Sequence, residues 1–400
     1  MNRQLLLFLS ILCLPISMTI SGIFLLILLI HILIKKDSEK NTLKLPPFIK
    51  KLWYLFIIYS LVQGIFSINH LFHYAGLIGH YLLYWLVFWI IFKTIKTEKD
   101  INLLIMSFIL SGALVSIIGI SSYFGLKPNI QAFYIPLYGG DYLINLQVPH
   151  FQNRAGSYSM NPNNLGAYLI LTSLFTLGFF DKRENFILKN KYIYTLILFV
   201  QIICLFLTFS RGAIISLTIG IVLFLFLNKN LKLKYFLPII LGIVLLFFTF
   251  SKHYLTLLKT LFDLNYFSNF ERIQTWKICL NIIKDSPQGV GILNYENIYP
   301  YYLSSGLRYV SHAHNWILHT GLESGILGMI IFFTFYFSII IDFFKNLNSK
   351  YIFIPLTLIV FFIFNLTDYV LTDTRIVILL TIIIFVGFFK SKYFILSQER

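Results

Sequence analysis

Long runs of apolar residues follow one another along the chain, and short charged segments separate them. Twelve of these runs approach or reach the roughly 17–25 residues that a helix needs to cross a bilayer. They cover residues 5–17, 20–34, 52–67, 77–92, 101–121, 164–180, 192–208, 213–227, 236–251, 316–343, 351–367 and 376–389. The pattern predicts an all-α fold, a polytopic transmembrane helix bundle of about 12 spans. The first two runs are broken by Pro15, and one tilted helix is the alternative to two short passes.

The composition excludes a soluble globular protein, because 58% of the residues are hydrophobic and only 12% are charged. We therefore expect residues 1–400 to form a single integral membrane domain. Arg3 is the only basic residue before the first run and no cleavage pattern follows, so we expect the first helix to remain as an anchor. Cys13, Cys204 and Cys279 are widely spaced, which indicates neither a thiol metal site nor a disulfide framework.

The basic residues predict the topology. With Arg3 placed inside, 22 of the 32 lysines and arginines fall on the cytoplasmic side, as the positive-inside rule requires. Both termini are then cytoplasmic, and residues 252–315 form a long extracytoplasmic loop between spans 9 and 10. Because the basic residues lie in short segments between spans, the net charge of +16 reflects topology and not nucleic-acid binding.

Ten basic residues remain on the outer side, and half of them are arginines, compared with three of the 22 inside. Arginine offers a forked set of donors that suits phosphate or carboxylate. We therefore expect the outer face to receive an anion, although Arg375 is expected to pair with Asp373 or Asp368. The outer arginines are Arg154, Arg211, Arg272, Arg308 and Arg375.

The outer loop is predicted to contain an amphipathic helix over residues 270–285, ended by the Ser286–Pro287 pair. Arg272 lies one turn before Trp276, so both side chains are expected to face one surface and to form part of a site. The apolar positions on which this prediction rests are Ile273, Trp276, Leu280 and Ile283.

Ionisable residues crowd the entrance of the tenth apolar run, in the sequence SHAHNWILHTGLESGILG of residues 311–328. Such groups are costly near a membrane unless a cavity or a partner receives them, so they indicate a functional site. If the helix begins near His314, Asn315, His319 and Glu323 share one of its faces. The alternative is that the polar groups only bond neighbouring helices and the glycines only allow close packing.

No nucleotide-binding fingerprint is present in the chain. Three segments instead resemble the O-antigen ligase and O-antigen polymerase family of membrane glycosyltransferases. They are LTFSRGAIISL around Arg211, ERIQTWKICLNIIKDSPQGVGILNY around Arg272 and HAHNWILHTGLESGILG around His314. A fourth segment, SMNPNNLGAYL, is similar to the family's upstream segment, so the resemblance spans roughly residues 154–328.

The resemblance implies transfer of a glycan from an undecaprenyl-diphosphate carrier to an acceptor hydroxyl, on lipid A-core or on a second lipid-linked glycan. It places the active site on the outer side of the bacterial inner membrane, among membrane lipids, and needs no nucleotide, metal or nucleic acid. The family's arginines correspond to Arg211 and Arg272, which would bind the diphosphate, and its histidine corresponds to His314, which would be the catalytic base. The candidate supporting residues are Arg154, His312, Asn315, Trp276, Glu323 and Arg308.

Several functions remain open at this point. The motif arrangement resembles ligases best, but a polymerase that joins lipid-linked repeats and a protein-glycosylating relative belong to the same family. A transporter of anionic lipid or polysaccharide is the alternative from another class, since intramembrane arginines serve transporters too. Transporters are commonly built from internal repeats, and the two halves of this chain show no self-similarity.

Overall fold

A computed structural model describes residues 2–35, 45–126, 154–157, 160–178, 191–227, 263–304 and 307–391, with isolated positions between these ranges. Helices dominate, which confirms the all-α class. Their bounds are Arg3–Cys13, Met18–Ile34, Pro47–Gln63, His70–Leu77, Leu83–Thr94, Glu98–Tyr123, Pro162–Gly178, Lys191–Leu207, Arg211–Leu227, Phe267–Asp285, Tyr295–Ile298, Trp316–Asn346, Phe353–Phe364 and Thr374–Lys390. Short 3₁₀ turns cover Gly64–Phe66, Tyr299–Tyr302 and Ser349–Tyr351, and a π turn covers Ile78–Leu82. Two-residue antiparallel strands pair Thr42–Leu43 with Phe394–Ile395, and Ile130–Gln131 with Asn145–Leu146.

A helix is found at every predicted span that falls on described residues, whereas residues 236–251 lie outside them. Within the described ranges, four helices are long and apolar enough to cross a membrane, and they cover Pro47–Phe66, His70–Thr94, Glu98–Tyr123 and Trp316–Asn346. The total of about 12 spans and the side on which each loop lies stay predictions.

The first two apolar runs form two helices and not one tilted helix. Arg3–Cys13 ends before Pro15, and Met18–Ile34 begins after Ser17, whose side chain accepts a hydrogen bond from the Ile20 amide at 3.3 Å. This is an N-cap, which satisfies an amide that the first helical turn leaves unpaired. The two helices pack against each other, so the chain turns back at this point.

The chain divides into two compact units, and the prediction of a single domain stays a prediction. The first unit comprises residues 1–38 and 90–251. At its centre, Glu98–Tyr123 packs against Arg3–Cys13, Pro162–Gly178 and Lys191–Leu207.

The second unit comprises residues 39–89 and 252–400. Trp316–Asn346, here called the kinked helix, packs in it against Pro47–Gln63, Phe353–Phe364 and Phe267–Asp285. The last of these, here called the loop helix, is the predicted amphipathic helix of the outer loop. It ends at Asp285, directly before the Ser286–Pro287 pair, as its sequence predicts.

The buried face of the loop helix differs from the predicted one. Leu280 was expected on the apolar face but is 54% exposed. Ile278, Cys279 and Ile282 are buried instead, because residues 290–302, which follow the helix, fold back onto their side of it. The apolar cluster formed there also contains Val290, Tyr295, Tyr299, Ala313 and Leu322.

The kinked helix is broken at Gly325, whose φ of 72° and ψ of 172° are open essentially to glycine alone. Residues 287–291 fill the break and bond the backbone groups that it frees. The Val290 and Gly291 amides donate to the Leu322 and Glu323 carbonyls, and the Ile326 amide donates to the Pro287 carbonyl, all at 2.9 Å. Residues 287–291 therefore take part in the hydrogen bonding of the kinked helix itself.

We expect Gly325→Ala to lower the melting temperature of the purified protein clearly. The positive φ alone costs about 1–3 kcal/mol for a side-chain-bearing residue, and a Cβ at this position would collide with the Gln288 carbonyl. Thermal unfolding in detergent measures the effect. Gly79→Ala is the matched control, because a Cβ there meets no atom within 4 Å. Equal melting temperatures for the two variants would contradict the proposed packing of residues 287–291 in the break.

Candidate active site

The five residues 311–315, here called the His314 loop, lead into the kinked helix. Asn315 is the N-cap, since its side chain accepts a hydrogen bond from the Leu318 amide at 3.0 Å and donates one to the Leu366 carbonyl at 2.9 Å. The helix therefore begins at Trp316. The prediction that Asn315, His319 and Glu323 share one helical face assumed a start near His314, two residues earlier. Asn315 ties the loop to residues 365–373, while His319 and Glu323 lie inside the helix.

His314 has a φ of +48°, in the left-handed region that non-glycine residues seldom occupy. Two neighbours hold this conformation. The Trp276 indole donates to the His314 carbonyl at 3.4 Å, and Asp368 faces the His314 ring. Strain of this kind at a non-glycine residue is found disproportionately at functional sites.

Asp368 lies at the centre of a group of ionisable side chains, here called the Asp368 cluster, which consists of Arg272, His312, His314 and Asp368. Its Oδ1 is 3.3 Å from His314 Nδ1 and 3.5 Å from His312 Nε2, and its Oδ2 is 4.0 Å from Arg272 Nη2. The Tyr369 amide also donates to Oδ1 at 2.8 Å. One buried carboxylate thus brings together a predicted arginine and two predicted histidines.

The electrostatics of the cluster favour an ionised aspartate beside a neutral histidine. Burial would raise the pKa of Asp368, but the hydrogen bonds and charges of His312 and His314 outweigh it and hold that pKa well below its usual range. Burial lowers the pKa of His314, which outweighs the opposing effect of Asp368, and the His312 and Arg272 charges lower it further. Burial is the largest of these causes.

Arg272 keeps donors available. Its Nη1 donates to Ser268 Oγ at 2.8 Å, and its 4.0 Å separation from Asp368 is longer than a hydrogen bond. Its Nε is buried and has no hydrogen-bond partner among the described residues. A buried donor of this kind costs free energy until an acceptor reaches it.

Residues 196–333 match the family model described as O-antigen ligase. This stretch, about a third of the chain, is therefore similar to the O-antigen ligase family and is here called the O-antigen ligase domain. The match confirms the resemblance read from the sequence, and it contains Arg211, Arg272 and His314. It supports a membrane protein with a ligase- or polymerase-type function. No curated protein matches the chain.

Asp368 lies outside residues 196–333, but its carboxylate faces Arg272, His312 and His314, which lie inside them. The sequence suggested Asp368 only as one of two partners for Arg375. The structure confirms the other partner, since Arg375 Nη2 and Nε donate to the Asp373 carboxylate at 2.7 and 2.8 Å. The available sequence signal is weaker, because Asp368 and Asp373 are both acidic residues between the last two apolar runs and this position does not distinguish them.

His319 and Glu323 of the O-antigen ligase domain support the His314 loop from below. Both are buried, and His319 Nε2 is 3.5 Å from Glu323 Oε1. The Ala313 amide donates to His319 Nδ1 at 3.4 Å, and the His319 ring stacks on Tyr369 with centroids 3.8 Å apart. Through these contacts His319 holds Ala313, which lies between His312 and His314, and Tyr369, which follows Asp368.

The remaining candidates lie elsewhere in the chain. Arg211 is the first residue of its helix in the first unit. In that unit Arg154 Nε donates to the Thr208 carbonyl at 2.8 Å and Nη2 to Asn163 Oδ1 at 3.1 Å. Arg154 therefore braces the turn that precedes Arg211. Arg308, in the second unit, is exposed.

Proposed function

We propose that the chain is an O-antigen ligase-type glycosyltransferase, which moves a glycan from undecaprenyl diphosphate to a hydroxyl of lipid A-core. The reaction takes place on the outer side of the bacterial inner membrane. The observation that carries this proposal is the His314–Asp368 pair beside Arg272, because it combines an oriented imidazole with a cation that has donors to spare.

His314 is the general base of the proposed reaction. With Asp368 ionised, His314 Nδ1–H donates to its Oδ1, and this assignment of the tautomer leaves the Nε2 lone pair to accept a proton. The lowered pKa keeps the ring neutral near pH 7. Asp368 fixes the tautomer and the ring orientation and stabilises the imidazolium that forms, as the aspartate of a serine-protease triad does.

Arg272 and Arg211 bind the donor diphosphate in this mechanism. Charge builds up on the diphosphate as the glycosidic bond breaks, and fixed donors that face developing charge usually supply the largest catalytic term. The buried Nε of Arg272 offers one such donor. Arg211 is the first residue of its helix, where the backbone dipole also favours an anion.

The proposed step is a direct displacement. The acceptor oxygen attacks the anomeric carbon from the side opposite the diphosphate while His314 Nε2 takes the hydroxyl proton. The carbon–oxygen bond to the carrier breaks, and its electron pair leaves with undecaprenyl diphosphate. The anomeric centre is inverted, and no nucleotide or metal takes part in the step.

The test is the surface glycan of a deletion strain complemented with the wild-type protein or with His314→Asn. If the protein is a ligase, the deletion strain should lose long chains from lipid A and retain lipid-linked polymer, and the wild-type protein should restore the chains. Single repeats on lipid A would indicate the polymerase instead. Restoration of long chains by His314→Asn would contradict the base assignment. Failure of the purified wild-type protein to transfer glycan to any hydroxyl acceptor would contradict the glycosyltransferase proposal and favour a transporter.

A further inference from the structure

We propose that His312, His314 and Asp368 form a Zn²⁺-binding site whose occupation reversibly inhibits glycan transfer. The metal site stands on geometry alone, and its inhibitory effect rests on the proposed function. One ligand atom from each of the three residues lies within 4.8 Å of the other two. Zn²⁺ takes imidazole nitrogen and carboxylate oxygen as ligands, and three protein ligands leave a fourth position for water.

The spacing of the ligand atoms fits a tetrahedral ion. Bonds of 2.0–2.1 Å place the ligands of a tetrahedral Zn²⁺ roughly 3.3–3.4 Å from one another. In the Asp368 cluster, Oδ1 is 3.3 Å from His314 Nδ1 and 3.5 Å from His312 Nε2, and the two histidine rings have centroids 4.3 Å apart. Only small side-chain movements are needed to admit the ion.

Neighbouring groups orient the ligands. Ser311 Oγ is 3.1 Å from His312 Nδ1, so it can accept a hydrogen bond from Nδ1–H and leave the Nε2 lone pair directed at the site. The Tyr369 amide fixes Asp368 Oδ1 through its 2.8 Å hydrogen bond. The Arg272 charge faces the other oxygen, Oδ2, at 4.0 Å and opposes a second cation. We therefore expect weaker affinity than that of a closed structural zinc site.

Inhibition follows from the tautomer. The active base carries its proton on His314 Nδ1 and accepts the substrate proton at Nε2. A metal bound to Nδ1 forces the imidazole proton onto Nε2, so the lone pair that the reaction needs is lost. The metal also withdraws the Asp368 carboxylate from its role beside the base.

Direct binding tests the site independently of transfer. The full-length protein is purified with a histidine-free tag, stripped with a chelator and titrated with Co²⁺, whose visible absorption reports tetrahedral coordination. We expect one Co²⁺ per chain, displaced by Zn²⁺. His312→Gln and Asp368→Asn should each weaken binding by at least about tenfold, since loss of a ligand costs no less than loss of its outer-shell partner. His31→Gln, which changes a histidine outside the cluster, should bind as the wild type does.

Tetrahedral absorption that persists unchanged in both ligand variants would overturn the site, as would a Co–thiolate band from one of the free cysteines. Zn²⁺ should also stop transfer, and a chelator should restore it. Transfer that requires the metal would overturn the inhibitory role. A protein that binds one Co²⁺ yet transfers no glycan with or without chelator would contradict the proposed function and leave the metal site in place.

Discussion

His314→Asn and His314→Ala are each expected to lower the rate of glycan transfer by about 10²–10⁴-fold, the usual contribution of a general base. Both variants should fold and bind the lipid-linked donor, because the His314 side chain is not part of the apolar cluster below it. Asparagine is the sharper replacement, since it tolerates the left-handed backbone found here at φ +48°. Turnover of purified protein at saturating donor is the measurement.

Two rivals for the base are separated in the same assay, at matched expression. His312→Ala removes the other histidine that faces Asp368. Glu323→Gln removes a carboxylate that is 6% exposed and 3.5 Å from His319, which places it in a supporting contact. If His314→Asn turned over like the wild type while either rival variant was inactive, the base would be misassigned, and the mechanism with it.

The positions of the helices could be predicted from the apolar runs, because burial in a bilayer requires continuous hydrophobicity. The break at Gly325 could not. The surrounding sequence TGLESGILG contains three glycines and does not indicate which of them breaks the helix. The break lies at Gly325 because residues 287–291 supply hydrogen bonds to the Leu322 and Glu323 carbonyls there. The sequence around Gly325 does not show that residues 287–291, more than 30 positions earlier, would supply these hydrogen bonds.

The residues of the site also fall into a group that the sequence could predict and one that it could not. Arg272, His312 and His314 belong to motifs that sequence resemblance identifies, and the cluster brings them together. Asp368 is distant in the sequence, and its role depends on the Asn315 and Trp316 contacts that attach the His314 loop to residues 365–373.

The choice between Asp368 and Asp373 as the partner of Arg375 was also set by local structure. Asp373 caps the Thr374–Lys390 helix by accepting a hydrogen bond from the Arg375 amide at 3.1 Å, which holds its carboxylate beside the guanidinium. The Asp368 carboxylate instead faces His312 and His314.

Arg272→Lys is expected to lower transfer nearly as far as Arg272→Ala, by about 10²–10³-fold, the cost of losing one donor to developing negative charge. Lysine keeps the charge but loses the planar fork. In particular, it has no counterpart of the buried Nε, which lacks a partner among the described residues. We expect the same result for Arg211→Lys. Initial rates at varied donor concentration separate a lower turnover number from weaker donor binding.

The control is Arg3→Lys, which makes the same chemical change at an arginine whose Nη2 donates to the His31 and Lys35 carbonyls at 3.2 and 2.9 Å. It should transfer glycan like the wild type. A role for Arg272 in charge alone predicts that Arg272→Lys is active while Arg272→Ala is not. Full activity of both Arg272→Lys and Arg211→Lys would mean that the fork is not needed. The diphosphate would then be bound as a point charge, and the spare Nε of Arg272 would have to serve another acceptor.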